Sequence, residues 1–194
     1  MTTLLSNYNA GDYSVLEINF LAARKTGQVR AQLPLNSDDF ATDPAQNGML
    51  LTYDQEDGSV KLPAAKGDYA LLHFSIEKLY NEKFKGDLAS YAVKPGGVYP
   101  RLFVLNSEDT FTTDAVMVDD NLGDDYIKDH LDDCVGKYYT CNTSGFIEQT
   151  DNPTDPGTIA TVLKCIASTD MPASDFGVTA YGLKFKVIRA VAVA

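Results

Sequence analysis

The sequence predicts a mainly β protein, a β-barrel or β-sandwich of about eight or more short strands with one or two short helices. Three observations support this prediction. Apolar and polar residues alternate over many short runs, which is the pattern of half-buried strands. Clusters of glycine, proline, asparagine and aspartate separate these runs. Helical periodicity is confined to two short stretches.

The first half of the chain contains a regular series of candidate strands. They are residues 16–20, 29–35, 48–53, 59–62 and 69–76. Asp57 and Gly58 suit the positive φ of a tight turn, so the third and fourth candidates are predicted to form a hairpin. The fifth candidate is apolar enough to lie in the middle of a sheet.

The second half continues the series. Residues 88–93 and 98–105 flank a Pro-Gly-Gly turn, and Pro100 places the second of them at a sheet edge or a bulge. Residues 109–118 are predicted to form a strand pair or one bent strand. The last two candidates are residues 159–166 and 178–193.

The final candidate predicts a sheet with one buried and one solvated face. One side of this strand carries Tyr181, Leu183, Phe185 and Val187. The other side carries Gly182, Lys184 and Lys186. Successive strand residues point to opposite faces, so the apolar set is expected to face the core.

Helical signals are weak and two segments are irregular. Residues 77–84 predict two helical turns, and residues 124–134 predict three. Ile127 and Leu131 give the second helix a small apolar stripe. Polar, proline-containing loops are predicted at residues 36–47 and 150–157.

Composition and charge limit the classes of partner. The chain has 194 residues and 27 acidic against 16 basic side chains, which gives a formal net charge of −11. Nucleic-acid phosphates and anionic membranes repel such a surface, so neither is expected as a partner. The beginning of the chain has no basic residue and no long apolar run, so we expect no secretory signal and no membrane span.

The domain organisation follows from the same patterns. We predict an N-terminal arm over residues 1–12, because this stretch is polar and contains asparagine and glycine. Residues 13–194 are predicted to form a single β-rich domain with an acidic insert near residues 119–133. Three cysteines, an odd number, indicate reduced thiols made in a cytoplasm. A bridge between Cys134 and Cys141 is the alternative.

Motifs for catalysis are absent from the sequence, and we predict neither catalytic residues nor a cofactor. His73 lies in an apolar strand, where a structural histidine is favoured over a general base. His130 lies among acids, which should favour its protonated form. A zinc site would have to combine His130 with the cysteines, and the gap between Cys134 and Cys141 exceeds the usual ligand spacing.

The densest charge feature is a run of aspartates, which we predict to form an acidic surface facing solvent or a basic partner. Its members are Asp119, Asp120, Asp124, Asp125, Asp129, Asp132 and Asp133. Calcium binding is the alternative, but an EF-hand is excluded. Counted from Asp119, the sixth position is Asp124 instead of glycine, and the twelfth is His130 instead of glutamate. We therefore predict no metal site.

Two stretches resemble the small β-rich head proteins of tailed bacteriophages, the decoration or cement proteins that coat a capsid. The first reads Tyr-Pro-Arg-Leu-Phe-Val-Leu over residues 99–105, and the second reads Asp-Thr-Phe-Thr-Thr-Asp-Ala-Val over residues 109–116. Such patterns often carry asparagine where this chain has Asp114. The hairpin after Gly48 and the late apolar strand around residues 183–188 agree with the same layout.

The resemblance implies a virion structural protein, not an enzyme. Such a protein would bind the outer surface of the capsid, bridge and stabilise neighbouring major capsid subunits, and be made in the host cytoplasm. Its partners would be the major capsid protein and, as a homo-oligomer, further copies of itself. Alternatives are a tail, fibre or head–tail joining component, or a non-viral glycan- or calcium-binding β-sandwich. The predicted capsid contacts are apolar residues of the arm and its junction: Leu4, Leu5, Tyr8 and Tyr13.

Overall fold

The fold is mainly β, as predicted. A computed structural model describes residues 2–9, 13–16, 29–75, 92–119, 130–151, 159–171 and 180–190. Its first strands are β1 (Thr2–Leu4), β2 (Val29–Ala31), β3 (Ala45–Gln46), β4 (Leu50–Asp54), β5 (Ser59–Lys61), β6 (Leu71–His73) and β7 (Ala92–Val93). The later strands are β8 (Leu102–Phe103), β9 (Thr110–Thr113), β10 (Met117–Asp119), β11 (Tyr138–Cys141), β12 (Ile147–Gln149), β13 (Thr161–Met171) and β14 (Ala180–Ala190). Within the described residues, two short 3-10 turns accompany them, η1 (Leu5–Tyr8) and η2 (Leu131–Cys134).

Antiparallel pairing joins the strands into four sheets. We name the two five-stranded sheets the outer sheet, in the order β12-β11-β13-β14-β9, and the central sheet, in the order β2-β8-β6-β4-β5. The pairs β1-β10 and β3-β7 form two-stranded sheets. None of these strand orders closes on itself within the described residues, so the architecture is a sandwich of sheets and not a barrel.

The central sheet separates two hydrophobic cores. Leu50 and its cross-strand partner Leu72 face the first core, which the central sheet shares with the outer sheet. Leu51 and its partner Leu71 face the second core. Consecutive residues of a strand point to opposite faces, so β4 and β6 are buried on both sides. This position confirms the sequence-based placement of residues 71–73 in the middle of a sheet.

The inner face of the outer sheet closes the first core. Leu183, Phe185 and Val187 are fully buried, which confirms the predicted alternation in β14. The ring of Phe185 lies 5.8 Å from that of Phe111, between ring centroids. It meets Tyr139 edge-on at 5.2 Å, a geometry that aromatic pairs prefer.

The predicted hairpin is β4-β5. Gly58 has φ +62°, the left-handed conformation expected for this turn. Asp54 Oδ1 accepts a hydrogen bond from the backbone N–H of Glu56 at 2.8 Å and so closes the turn. Lys61 forms ion pairs with Asp54 and with Asp57 on one side of the hairpin.

Residues 109–118 contain two strands that join different sheets, so they form neither one bent strand nor two strands paired with each other. β9 is an edge of the outer sheet, while β10 pairs with β1. The chain changes sheets at Asp114 and Ala115, where Gly48 of the central layer approaches closely. An added Cβ at Gly48 would lie 2.1 Å from Thr113 Oγ1, so no larger residue fits without a shift.

Several predicted elements are shorter in the structure or lie outside its described residues. β2 ends at Ala31, and Pro34, which has no backbone N–H to donate, instead accepts a hydrogen bond from Val60 at 2.8 Å. β8 contains only two residues and begins after Pro100. The second predicted helix appears as the turn η2 over its last residues. The first predicted helix, at 77–84, and residues 124–129 of the second lie outside the described residues.

The predicted arm is wrong for residues 2–9, which pack onto the domain. β1 pairs with β10, and the backbone N–H of Leu5 donates to the Val116 carbonyl at 2.6 Å. Leu5 is 0 % exposed and belongs to the first core. Its proposed role as an exposed capsid contact is therefore also wrong. The reason is that a leucine in a largely polar stretch still gains the free energy of burial when β1 docks beside the core.

Leu5→Ala should destabilise the protein by about 2–5 kcal/mol, the cost of removing a buried leucine side chain and leaving a cavity. Chemical denaturation followed by circular dichroism measures this loss. Val98→Ala is the matched control, because Val98 is 46 % exposed and its truncation should change stability by less than about 0.5 kcal/mol. Equal, small effects of the two substitutions would mean that the N-terminal segment does not contribute to the core.

Candidate functional site

His73 lies in a buried polar cluster next to the second core. Its Nδ1 is 2.7 Å from the Gln46 carbonyl oxygen, and its Nε2 is 3.1 Å from Ser75 Oγ. A carbonyl only accepts, so Nδ1 carries the proton and Nε2 accepts from the Ser75 hydroxyl. Ser75 Oγ in turn accepts from the backbone N–H of Arg101 at 3.0 Å. Burial lowers the pKa of His73 to about 4, which keeps the ring neutral.

This order of hydrogen bonds is that of a nucleophile and its base, but its surroundings are those of a structural cluster. His73 is 0 % exposed and Ser75 is 4 % exposed, so the described residues leave no room for a substrate beside the hydroxyl. The backbone N–H of Ser75 donates to Asn47 Oδ1 at 2.8 Å. The cluster joins β6 to the turn after β3, which agrees with the structural role predicted for His73.

A second polar cluster holds the N-terminal segment, and we call it the N-terminal anchor: Asn9, Ser14, Val15 and Asp114. Asp114 Oδ1 accepts from the Val15 backbone N–H at 2.5 Å, and Oδ2 accepts from Asn9 Nδ2 at 2.8 Å. The Asn9 amide also exchanges two hydrogen bonds with the backbone of Tyr181, at 2.6 and 2.9 Å. Asn9 thus joins the N-terminal segment to β14 and to Asp114 at once.

The anchor continues toward the His73 cluster. Thr113 Oγ1 donates to the Val15 carbonyl at 2.6 Å. The Ser14 backbone N–H donates to Gln46 Oε1 at 2.8 Å, and the Ser14 hydroxyl donates to Ser6 Oγ at 3.0 Å. Gln46 therefore contacts both clusters, through its side chain on one and its carbonyl on the other.

Desolvation dominates the electrostatics of Asp114. The residue is 1 % exposed, and burial raises the pKa of its carboxyl to about 7. Hydrogen bonds from Val15 and Asn9 act in the opposite direction, because they stabilise the carboxylate. No described cation contributes to the shift. The anchor is accordingly held by a carboxyl that changes charge near neutral pH.

The structure places few of the predicted acidic residues. Asp132 and Asp133 are exposed on η2, where Asp132 accepts from the Ser168 hydroxyl and Asp133 lies 3.0 Å from His130 Nδ1. Asp119 ends β10, with Thr2 opposite in register. Asp120, Asp124, Asp125 and Asp129 lie outside the described residues. Among the residues that are described, no group of three or more acidic, histidine or cysteine side chains could hold a metal ion.

The other predicted contacts are half-buried, and the thiols are unpaired. Leu4, Tyr8 and Tyr13 keep partial exposure, and Tyr8 packs against the first core. All three cysteines are free, so the alternative bridge between Cys134 and Cys141 is not formed. Burial raises the pKa of Cys141 to about 11 and that of Cys165 to about 12. These two thiols stay protonated near neutral pH, which makes them poor nucleophiles.

Two surface features were missed by sequence reasoning. Val98 is 46 % exposed and Tyr99 is 54 % exposed, within residues that alternation assigned to a strand. The Pro-Gly-Gly turn just before them was the signal for a loop. The second feature is an open groove of about 400 Å³ beside Arg30 and Tyr53. These residues are distant in sequence, so no local pattern could reveal the groove.

Comparisons with known proteins identify no relative. No family model, no curated protein and no solved structure matches the chain. Within the described ranges, the structure has no helix with the length and hydropathy needed to cross a membrane.

Asp114 should make stability fall as the pH rises from about 4 to about 7. The folded protein holds this proton up to about pH 7, whereas an unfolded aspartate releases it near pH 3.8. The stabilisation is therefore complete below pH 4 and is lost above pH 7, with a total on the order of 4 kcal/mol. Asp114→Asn stays neutral throughout. The unfolding free energy of this variant should not show the decline that Asp114 causes. It should differ from the wild type by a further, pH-independent amount, because one carboxyl oxygen that accepts a hydrogen bond is lost.

Urea unfolding of both proteins between pH 4 and pH 8 gives the difference curve. Asp132→Asn, at an exposed aspartate, is the control and should follow the wild type at every pH. Parallel curves for the wild type and Asp114→Asn would contradict the assignment, because the buried carboxyl would then not titrate in this range.

Proposed function

We propose that the protein is a structural component of a tailed-phage virion that binds the outer surface of the capsid and bridges neighbouring major capsid subunits. The proposal rests on the resemblance of residues 99–105 and 109–116 to decoration proteins. The feature that carries it furthest is the exposure of Tyr99, the first residue of the resembling segment, at 54 %.

The surroundings of Tyr99 suit a protein contact. Val98, beside it, is 46 % exposed, while Leu102 at the start of β8 is 0 % exposed. Val98 and Tyr99 thus form an exposed pair on a short loop that leads into the buried strand β8. Tyrosine is enriched at the centres of protein interfaces because it buries a large area at a low cost in side-chain entropy. The adjoining Arg101 is exposed and adds a cation at the same place.

Charge and repetition support the same assignment. A chain of net charge −11 is repelled by packaged DNA, but it complements basic patches on the shell. A shell presents many identical subunits, so contacts that are weak singly become strong when each bound copy spans two neighbours. Small exposed loops on a firm sandwich are sufficient for this role.

Tyr99→Ala should weaken attachment to the capsid at least tenfold, the effect of truncating a tyrosine that is a hot spot of an interface. The assay uses virions of the phage that encodes the chain, stripped of this protein, and measures recapture by co-sedimentation. Val135→Ala is the matched control, since Val135 is 42 % exposed and lies far along the chain on η2's C-terminal side. Both variants should retain the wild-type melting temperature.

Two outcomes would refute the assignment. Purified virions could lack the protein in mass spectrometry, or stripped capsids could fail to recapture the wild-type chain. A copy number far below that of the shell subunits, with the protein confined to the tail or one vertex, would favour the alternative of a tail or joining component. Normal recapture of Tyr99→Ala would place the contact on another surface.

A further inference from the structure

The groove beside β2 and the β4-β5 hairpin has the composition of a ligand site. Its volume of about 400 Å³ lies within the usual range for small-molecule sites. We call it the Arg30 groove. The residues that line it are Arg30, Ala31, Gln32, Leu33, Tyr53, Gln55 and Gly58. Leu33 and Tyr53 are half-buried against the second core and give the groove a firm apolar floor.

Arg30 is an oriented cation in this groove. Its Nε donates to the Tyr53 hydroxyl at 3.2 Å, which fixes the plane of the guanidinium. Among the described residues, no carboxylate lies within ion-pair distance of it. Of the three acids in the hairpin, Asp54 and Asp57 are paired with Lys61, and Glu56 is exposed beside Gln55. Asp54 and Lys61 share the face opposite Tyr53, because Thr52 pairs with Lys61 and Tyr53 pairs with Val60.

Arg30 is thus a guanidinium without a carboxylate partner among the described residues, on a protein of net charge −11. The planar fork of arginine matches a carboxylate, which it binds through two parallel hydrogen bonds. Gln32 and Gln55 also line the groove, and each amide offers both donors and an acceptor. A sugar hydroxyl is likewise both donor and acceptor, and the face of a sugar ring packs on a tyrosine ring.

We propose that the Arg30 groove binds an acidic saccharide, with the carboxylate of a uronate on Arg30 and the ring hydroxyls on Gln32 and Gln55. An acidic peptide fits the groove less well. It would bring several carboxylates to a groove that holds one cation, so the negative field of the chain opposes it more strongly than it opposes a single uronate. This proposal is independent of the capsid assignment, which concerns Tyr99.

The test compares two ligands that differ only at the carboxylate. A glucuronate-containing tetrasaccharide and its carboxyl-reduced form are titrated into the labelled protein, and amide shifts in NMR spectra report the site and the affinity. The acidic form should bind at least tenfold more tightly, with shifts centred on β2 and the hairpin. Arg30→Gln should abolish this difference. Arg101→Gln, at an exposed arginine outside the groove, should preserve it.

Four results would overturn the proposal. They are equal binding of the two saccharides, unchanged binding by Arg30→Gln, absence of saturable shifts for either saccharide at millimolar concentration, and tighter Arg30-dependent binding of tetra-aspartate than of the acidic saccharide. Arg30 is exposed, so Arg30→Gln should keep the wild-type melting temperature. Capsid recapture by this variant should equal that of the wild type, which separates failure of this proposal from failure of the capsid assignment.

Discussion

The structure depends on the burial of β4 and β6 on both faces. Leu50 and Leu72 form one cross-strand pair toward the first core, and Leu51 and Leu71 form the next pair toward the second. Full burial of each leucine contributes roughly 1.5–3 kcal/mol, so these two short strands supply much of the attraction between the layers. Every other described strand except β1 contributes a residue to one of the two cores that they separate.

Burial on both faces leaves the register of β6 poorly specified by hydrophobicity alone. A slip of one residue exchanges the two faces, and here both faces are apolar. His73 removes this degeneracy. Its ring nitrogens meet the Gln46 carbonyl and Ser75 Oγ only in the observed register. In the slipped register the imidazole would be buried without partners, at a cost of about 1–3 kcal/mol.

The N-terminal anchor is built on the same turn. Gln46 contacts His73 through its carbonyl and Ser14 through its side chain, and Gly48 lies against Thr113. The two polar clusters are therefore parts of one junction between the central and outer layers. Hydrogen bonds are directional, so this junction fixes the relative position of sheets that apolar packing would allow to slide. The N-terminal segment completes the junction, and with it the first core.

Local patterns predicted the regular parts of this fold. Alternation identified the buried face of β14, the Asp57-Gly58 pair identified the hairpin, and an apolar run identified the central strand. The predictions that were wrong concern residues whose environment is set by contacts between distant segments. Sequence reasoning expects an aspartate to be exposed. Asp114 is buried because Val15 and Asn9, which are distant in sequence, donate hydrogen bonds to its carboxyl. Leu5 was assigned to an arm because its neighbours are polar, although β10 provides it with a place in the core.

The polar groups that stabilise the fold and those that we propose as contacts lie in different parts of the molecule. The buried polar groups that set register and charge, His73 and Asp114, lie at the junction between layers. The exposed residue Tyr99 precedes β8, and Arg30 belongs to its partner strand β2, while the other wall of the Arg30 groove is the β4-β5 hairpin. Substitutions of the exposed side chains of Tyr99 and Arg30 remove little buried area, so they can vary without disturbing β4 and β6. The exposed side chains that we propose as contacts are thus separate from the buried groups that hold the layers together.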